Sequence, residues 1–238
     1  MSLSGAVQIF PNDQLTTSTE QQCNLGQLGV TKDGRAYRYA KAGEALSPGK
    51  LQVAAPIAAN HENMAVAAAA AIGATKVTVT LGATAATLNQ YAGGFLTIND
   101  ATGEGISYLV SGHPAADASA SLVVTLAEPL KVALTTSSEA SLQKNPWDGV
   151  VISVVDQLDM PVGVPNVSVA SGSYCWLQTR GVCSALADET LAIGVALTIG
   201  TGVAGAVEAL DAAGEPQVGV AIQAGVDTEY RAVYLQID

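Results

Sequence analysis

Two histidines, three cysteines and twenty-one carboxylates are the residues of this 238-residue chain whose types could do chemistry. A metal site needs several nitrogen, sulfur or oxygen ligands at a spacing that lets them converge. His61-Glu62-Asn63 offers a start on one, yet neither His61 nor His113 has a partner at ligand spacing, and both read as surface or loop residues. His113-Pro114 follows Gly112 and reads as a strand exit into a turn. A Ser-His-Asp triad is recognised by geometry rather than chain order. Still, no G-x-S-x-G elbow and no G-x-x-x-x-G-K-[ST] phosphate loop accompanies the histidines. Carboxylates fall singly in turn-rich contexts such as Asp33-Gly34, Asp148-Gly149 and Asp211-Ala212-Ala213-Gly214. A pair for glycoside hydrolysis can assemble in three dimensions, but sugar clefts usually draw on more stacking surface than two Trp and two Phe provide. Asn99-Asp100-Ala101-Thr102-Gly103-Glu104 is oxygen-rich without the carboxylate density of a calcium loop, and reads as a hairpin. Cys23, Cys175 and Cys183 are odd in number and lack a C-x-x-C pair, so they read as small buried hydrophobes in a reduced protein. The expectation is a protein that is not an enzyme, with no catalytic, cofactor-binding or metal-ligating residues.

Composition narrows the partners. The formal net charge is −11, from 10 Lys and Arg against 21 Asp and Glu. A phosphate-binding groove needs clustered cations, and these are few and dispersed, so direct nucleic-acid binding is not expected. Acidity aids solubility and suits a partner with basic patches. The Ala-rich run from Met64 to Ile72 is too short to cross a bilayer, which takes about 20 residues. Met1-Ser2-Leu3-Ser4-Gly5 lacks the cationic start and apolar stretch of a signal peptide, so a soluble protein that is not exported is expected. Only 5% of residues are aromatic, and much of the 49% hydrophobic fraction is Ala. Ala buries little area, so burial between subunits would add usefully to stability at roughly 25 cal/mol per Å².

The elements that would position any site are short strands. Residues 1–25 show no sustained period and read as an extended N-terminal arm, either frayed or ordered against a partner. Asp33-Gly34 supplies a tight turn ahead of Arg35-Ala36-Tyr37-Arg38-Tyr39, where Tyr37 and Tyr39 share one strand face and Arg38 the other. Period-two alternation marks Lys76–Leu81, Phe95–Ile98 and part of Leu122–Leu126. Ala65–Ile72 is ambiguous, with an extended strand favoured over a helix. Strands then recur at Val150–Val155, Gly163–Val169, Tyr174–Gln178, Leu191–Ile199, Gln217–Gln223 and Tyr230–Ile237, punctuated by Gly and Pro. Ala42–Gly49 echoes Ala187–Gly194, with Ala, Glu, Leu and Gly at equal offsets. The fold expected is all-β. A β-sandwich or barrel-like domain comes from 26–59 and 148–238, with a small β-barrel domain inserted at 60–147.

Four segments together resemble the head-decoration (cement) proteins of tailed bacteriophages. Gly26-Gln27-Leu28-Gly29 through Asp33-Gly34-Arg35 to Tyr37-Arg38-Tyr39 is similar to that family's opening motif. Val162-Gly163-Val164 with Tyr174-Cys175-Trp176-Leu177-Gln178-Thr179-Arg180-Gly181 is similar to its later motif, although Cys175 stands where a small residue is expected. Gln217-Val218-Gly219-Val220-Ala221 resembles its penultimate strand. Tyr91–Asp100 with Gly103-Glu104-Gly105 looks like the inserted β-domain of longer members. The resemblance implies a structural protein made in the host bacterial cytoplasm and carried on the outer surface of the virion. There it would bind the major capsid protein and strengthen contacts between capsid subunits, as a homotrimer with no cofactor and no membrane or direct nucleic-acid partner. Closed rotational symmetry repeats one contact around an axis, which suits bridging. Capsid contacts are then expected from Phe10 and Leu15 of the arm and from Arg35, Tyr37, Arg38 and Tyr39. The alternative is an outward-facing head fibre or adhesin whose middle domain binds host carbohydrate.

Overall fold

The computed structural model describes residues 5–155 and 159–238. Runs of two to thirteen residues, most of them rich in β-branched or aromatic side chains, pair into sheets between Gly-, Pro- and Asn-rich turns, because such side chains fit a pleated, half-buried surface. The first strands are β1 (Val7–Gln8), β2 (Leu28–Val30), β3 (Ala36–Ala42) and β4 (Gln52–Val53). Then come β5 (Met64–Ala65), β6 (Lys76–Thr80), β7 (Phe95–Asp100), β8 (Ser107–Gly112), β9 (Ser121–Leu126) and β10 (Glu139–Gln143). The rest are β11 (Asp148–Ile152), β12 (Pro161–Pro165), β13 (Tyr174–Leu186), β14 (Ala196–Ile199), β15 (Val207–Ala209), β16 (Gly219–Ala221) and β17 (Tyr230–Gln236). One 3-10 turn, Asp13–Leu15, is the helical element among the described residues. The chain is all-β. It divides into two compact units, Met1–Ala55 with Pro146–Asp238, and Pro56–Asn145.

The first unit hangs on β13. Its first half pairs antiparallel with β3, and the ring β3-β11-β4-β12-β13 closes on itself. Inside lie Ala40, Ala42, Leu46, Val150, Val162, Val169, Cys175 and Leu177. Five strands leave a narrow interior, which explains the small residues. Trp147, expected at the end of the inserted segment, packs against this barrel instead.

The register of β13 shifts between Gln178 and Arg180, and Gly181 follows at φ 91°. A Cβ at Gly181 would lie 2.9 Å from Arg35 Cγ, so both the backbone angle and the space call for glycine. Such a bulge bends a strand. Past it, Arg180–Leu186 pairs with β17, and β17-β16-β14-β15 curls until Val207 bridges Ala187. This second closure encloses Leu197, Ile199, Val207, Val218, Val233 and Leu235. The sequence expectation ended this strand at Gln178; the bulge interrupts the apolar alternation there and hides its continuation. Val207–Ala209 and Glu139–Gln143 are strands that the alternation did not mark.

The second unit is also barrel-like. Its sheet runs β5-β10-β7-β8-β9-β6, and Val66, next to β5, bridges Val79 of β6. The inward positions of β6 are Val77 and Val79, as its alternation requires. Ala65–Ile72 forms no helix: it contributes β5, then bridges at Val66 and Ala70. The connector echoed between Ala42–Gly49 and Ala187–Gly194 ends in both cases on a positive-φ glycine. Bridged connectors join Leu46 to Val169 in the first unit, and Ala70 to Leu134 and Ala86 to Ala116 in the second. They are therefore a shared building habit and do not distinguish the flanking thirds from the middle.

Both histidines lie in connectors, and His113 leaves β8 directly after Gly112 as expected, but neither is at the surface. His61 is fully buried, its Nε2–H donating to the Thr84 carbonyl at 2.9 Å while Nδ1 faces the Tyr91 hydroxyl. The Tyr91 backbone N–H in turn donates to His113 Nε2 at 3.0 Å, and His113 Nδ1 lies 2.8 Å from the Pro114 carbonyl. The pair ties three connectors of the second unit together. Replacing His61 by Ala strands buried partners, and should destabilise that unit by about 2–4 kcal/mol. Urea titration read by near-ultraviolet circular dichroism checks this.

Candidate interaction surface

The expected contact residues separate sharply once folded. Alternation along β3 turns Ala40 and Ala42 into the barrel and Tyr37 and Tyr39 outward. That outward face is not free. Tyr39 stacks on Tyr174 with centroids 5.9 Å apart and meets Trp176 edge-on at 5.1 Å. Ile9 joins Tyr37, Tyr39 and Trp176 in one buried cluster. Tyr37 is 0% and Tyr39 4% exposed, so neither can touch a partner; the capsid-contact expectation fails for both.

What covers them is the N-terminal segment itself. β1 lies parallel to β2, Ile9 N–H donates to the Val30 carbonyl at 3.0 Å, and Ser18 and Tyr174 exchange two backbone bonds. The Gln22 N–H donates to the Tyr39 hydroxyl at 3.0 Å. Gly29 makes the fit possible, because a Cβ there would sit 2.5 Å from Ile9 Cδ1 and 2.8 Å from Trp176 Cζ3. From Gly5 onward the expected arm is thus a strap on its own unit; residues 1–4 lie outside the described residues. Aperiodicity reflected short, interrupted pairing rather than lack of structure.

Two of the expected contact residues do face outward. Phe10 is 62% and Leu15 45% exposed, on either side of a tight turn. Asn12 takes a left-handed φ of 77°, and the Phe10 N–H donates to Asp13 Oδ2 at 3.2 Å. Asn tolerates that conformation better than most residues. The turn holds two large apolar side chains in water at a defined spacing.

The two arginines are engaged. Arg38 meets Asp238 through Nε at 2.5 Å and a second nitrogen at 2.8 Å, and its guanidinium lies 5.3 Å from the Trp147 ring centroid. The hydrogen bond from Arg38 lowers the Asp238 pKa below its ordinary 3.8. A carboxyl depressed in the folded state contributes stability present above the unfolded value and lost as pH falls through the folded one. Thermal midpoints should therefore drop as pH is taken below about 4, and Asp238→Asn should flatten that part of the curve. Arg35 bonds Asp33 Oδ2 at 2.8 Å. It also stands at one end of a groove of about 690 Å³.

That groove escaped sequence reasoning. Asn166, Gln178, Gln223, Tyr230 and Arg231 come to it from segments far apart in the chain. The one available signal was that Tyr230 and Ala232 share a strand face. At its floor Asn166 Nδ2 donates to the Tyr37 hydroxyl and to Gln178 Oε1 at 3.3 and 3.2 Å. Desolvation pushes the Tyr37 hydroxyl up to about 12, and burial does the same to the Cys183 thiol. Cys175 is likewise pushed to about 12 by burial. Thiolate is the reactive form, so Cys175 and Cys183 should resist alkylation at pH 8 until the protein unfolds, as mass spectrometry would show. Among the described residues no group of three or more His, Cys, Asp or Glu is placed to hold a metal ion.

No protein-family model matches this chain, and no curated protein does. Among solved structures it is similar to the head fiber gp8.5 N base of bacteriophage phi29, at 14% identity and a TM-score of 0.28. The match covers 68% of this chain and 96% of that one. A TM-score so low carries no argument about fold or role.

Proposed function

We propose that this protein is a structural, non-enzymatic component of a tailed-phage head, bound to the outside of the assembled capsid and bridging major capsid protein subunits. The observation that carries the reading is the convergence of three of the four family-like segments, the fourth lying in the second unit. Gly26–Tyr39 forms the β2–β3 hairpin, Tyr174–Gly181 pairs with β3, Val162–Val164 lies in β12 beside it, and Gly219–Ala221 is β16. Segments scattered over nearly two hundred residues thus belong to one sheet, as a shared architecture requires. The turn exposing Phe10 and Leu15 supplies apolar contact surface whose burial against a partner would favour binding. Association as a trimer, at three-fold positions, would let one such contact repeat and oppose separation of capsid subunits.

Heads purified without this protein and mixed with it should take it up to saturation. The Phe10→Ser, Leu15→Ser double variant should bind at least tenfold more weakly while keeping its circular dichroism spectrum. A folded wild-type protein that leaves such heads bare would overturn the reading. Sedimentation equilibrium tests the trimer separately, a monomer at all micromolar concentrations counting against it.

A further inference from the structure

Over Val182–Ser184, β13 is paired with β17 along one edge only. Its pairing with β12 ends at Gln178 and with β3 at Arg180, and beyond Ser184 the Leu186 N–H already bonds the Gly49 carbonyl at 2.9 Å. Between those limits the open edge faces the groove, and Val182, Cys183 and Ser184 line it. Gln178 closes one end: its side-chain Nε2 donates to the carbonyls of Arg180 at 3.1 Å and Val182 at 2.8 Å. Within the open stretch the Val182 carbonyl is therefore taken, and the Ser184 carbonyl meets, among the described residues, only the weak donor of the Cys183 thiol at 3.4 Å. An unpaired strand edge is a template for another chain. This one is short and capped, which keeps it from growing into a sheet between whole molecules.

Charge selects what fits. Arg35 and Arg231 line the groove, and no Asp or Glu does, in a chain where carboxylates outnumber cations two to one. Asp33 and Glu229 pair with these arginines from outside the lining. A guanidinium has five N–H donors. Arg35 spends one on Asp33, and Arg231 spends three, on Glu229 and on the Ala224 and Tyr230 carbonyls, so both keep donors for an incoming ligand. Both arginines are braced. Arg231 also donates through Nε to the Ala224 carbonyl at 3.1 Å, and Arg35 lies over the Tyr37 ring at 5.8 Å. The rest of the wall mixes the amides of Asn166, Gln178 and Gln223 with exposed apolar surface, Val182 at 51% and the Tyr230 ring at 47%. A Cβ at Gly49 would lie 2.7 Å from that ring, so glycine lets it rest on the backbone.

We propose that this groove is a docking site for an extended, carboxylate-bearing peptide segment of a partner protein, which adds to the open edge of β13 and places its acidic side chains against Arg35 and Arg231. Strand addition supplies backbone hydrogen bonds, and alternate side chains supply specificity. A volume near 690 Å³ accommodates a few residues. The inference does not depend on the head-decoration reading.

The test uses the full chain and fluorescently labelled hexapeptides alternating Val with Asp or Glu, measured by anisotropy. The acidic peptide should bind at least tenfold more tightly than its Asn/Gln counterpart, and more weakly as salt rises. Arg35→Gln and Arg231→Gln should each weaken it about fivefold or more. Methylating the peptide backbone at its central amides should abolish binding with the protein unaltered, a readout that no folding defect can imitate. The proposal is overturned if acidic and neutral peptides bind alike, or if the methylated peptide binds as well as its parent. It is overturned equally if an oligo-uronate binds in place of the peptide, or if the arginine variants alter only self-association.

Discussion

A chain lacking residues 1–23 should melt roughly 10 °C below the full-length protein, through loss of stability in the first unit alone. Removing the strap takes Ile9 out of its cluster, which forfeits about 1.5–3 kcal/mol for one fully buried aliphatic side chain. It also uncovers part of Tyr39, Tyr174 and Trp176, whose rings rely on residues 7–23 for cover, and it leaves the edge of β2 bare. A total of about 4 kcal/mol corresponds to a shift of this size for a unit of some 150 residues. Differential scanning calorimetry should show the first transition moving and the hydrophobic dye signal rising. An unchanged midpoint would mean the segment behaves as a loose arm after all. Reduced capsid occupancy by such a truncation is then no clean measure of docking, which is why Phe10→Ser and Leu15→Ser are the better probes.

Residues 56–145 expressed alone should fold cooperatively, and Leu96→Ala in that fragment should cost about 2–5 kcal/mol. Every residue of its core cluster, from Met64 to Leu142, lies inside the fragment. The His61, Tyr91 and His113 network is equally self-contained. The converse deletion should succeed too. Val53 lies opposite Val151 in adjacent antiparallel strands, so the chain leaves and re-enters the first unit at neighbouring points that a short linker spans. A disordered fragment by circular dichroism, or a remnant that fails to fold, would refute the independence of the two cores. Leu96 is the sharper control, since it is fully buried and any residual structure must register its loss.

Much of this architecture is written locally. Lys76–Thr80 alternates because one face of its strand packs inward, and the alternation survives intact in the folded unit. Asp33-Gly34 gives the turn before β3, with Gly34 at φ 83°. The Tyr-Arg-Tyr face assignment also holds, since period two is a property of any strand. Where the reading failed, the cause was usually a second layer. Tyr37 and Tyr39 looked like contact residues because an outward aromatic face appears available until something is seen to cover it. His61 and His113 looked peripheral because each stands alone in the sequence, while their partners, Thr84 and the Tyr91 backbone and hydroxyl, are not residue types that signal a site.

By itself, then, the sequence determined the all-β class, the inward faces of its clearest strands, and the burial of Cys175 and Cys183, because period and turn chemistry act over a few residues. Only the tertiary structure decided that β13 bends at Gly181 to serve two closures, that the N-terminal segment straps its own unit, and that Arg35 and Arg231 border a groove free of carboxylates. Those outcomes depend on pairings between residues up to two hundred positions apart, such as Arg38 with Asp238. No local pattern encodes a contact of that range; it forms only when whole sheets close and leave a single place for each side chain.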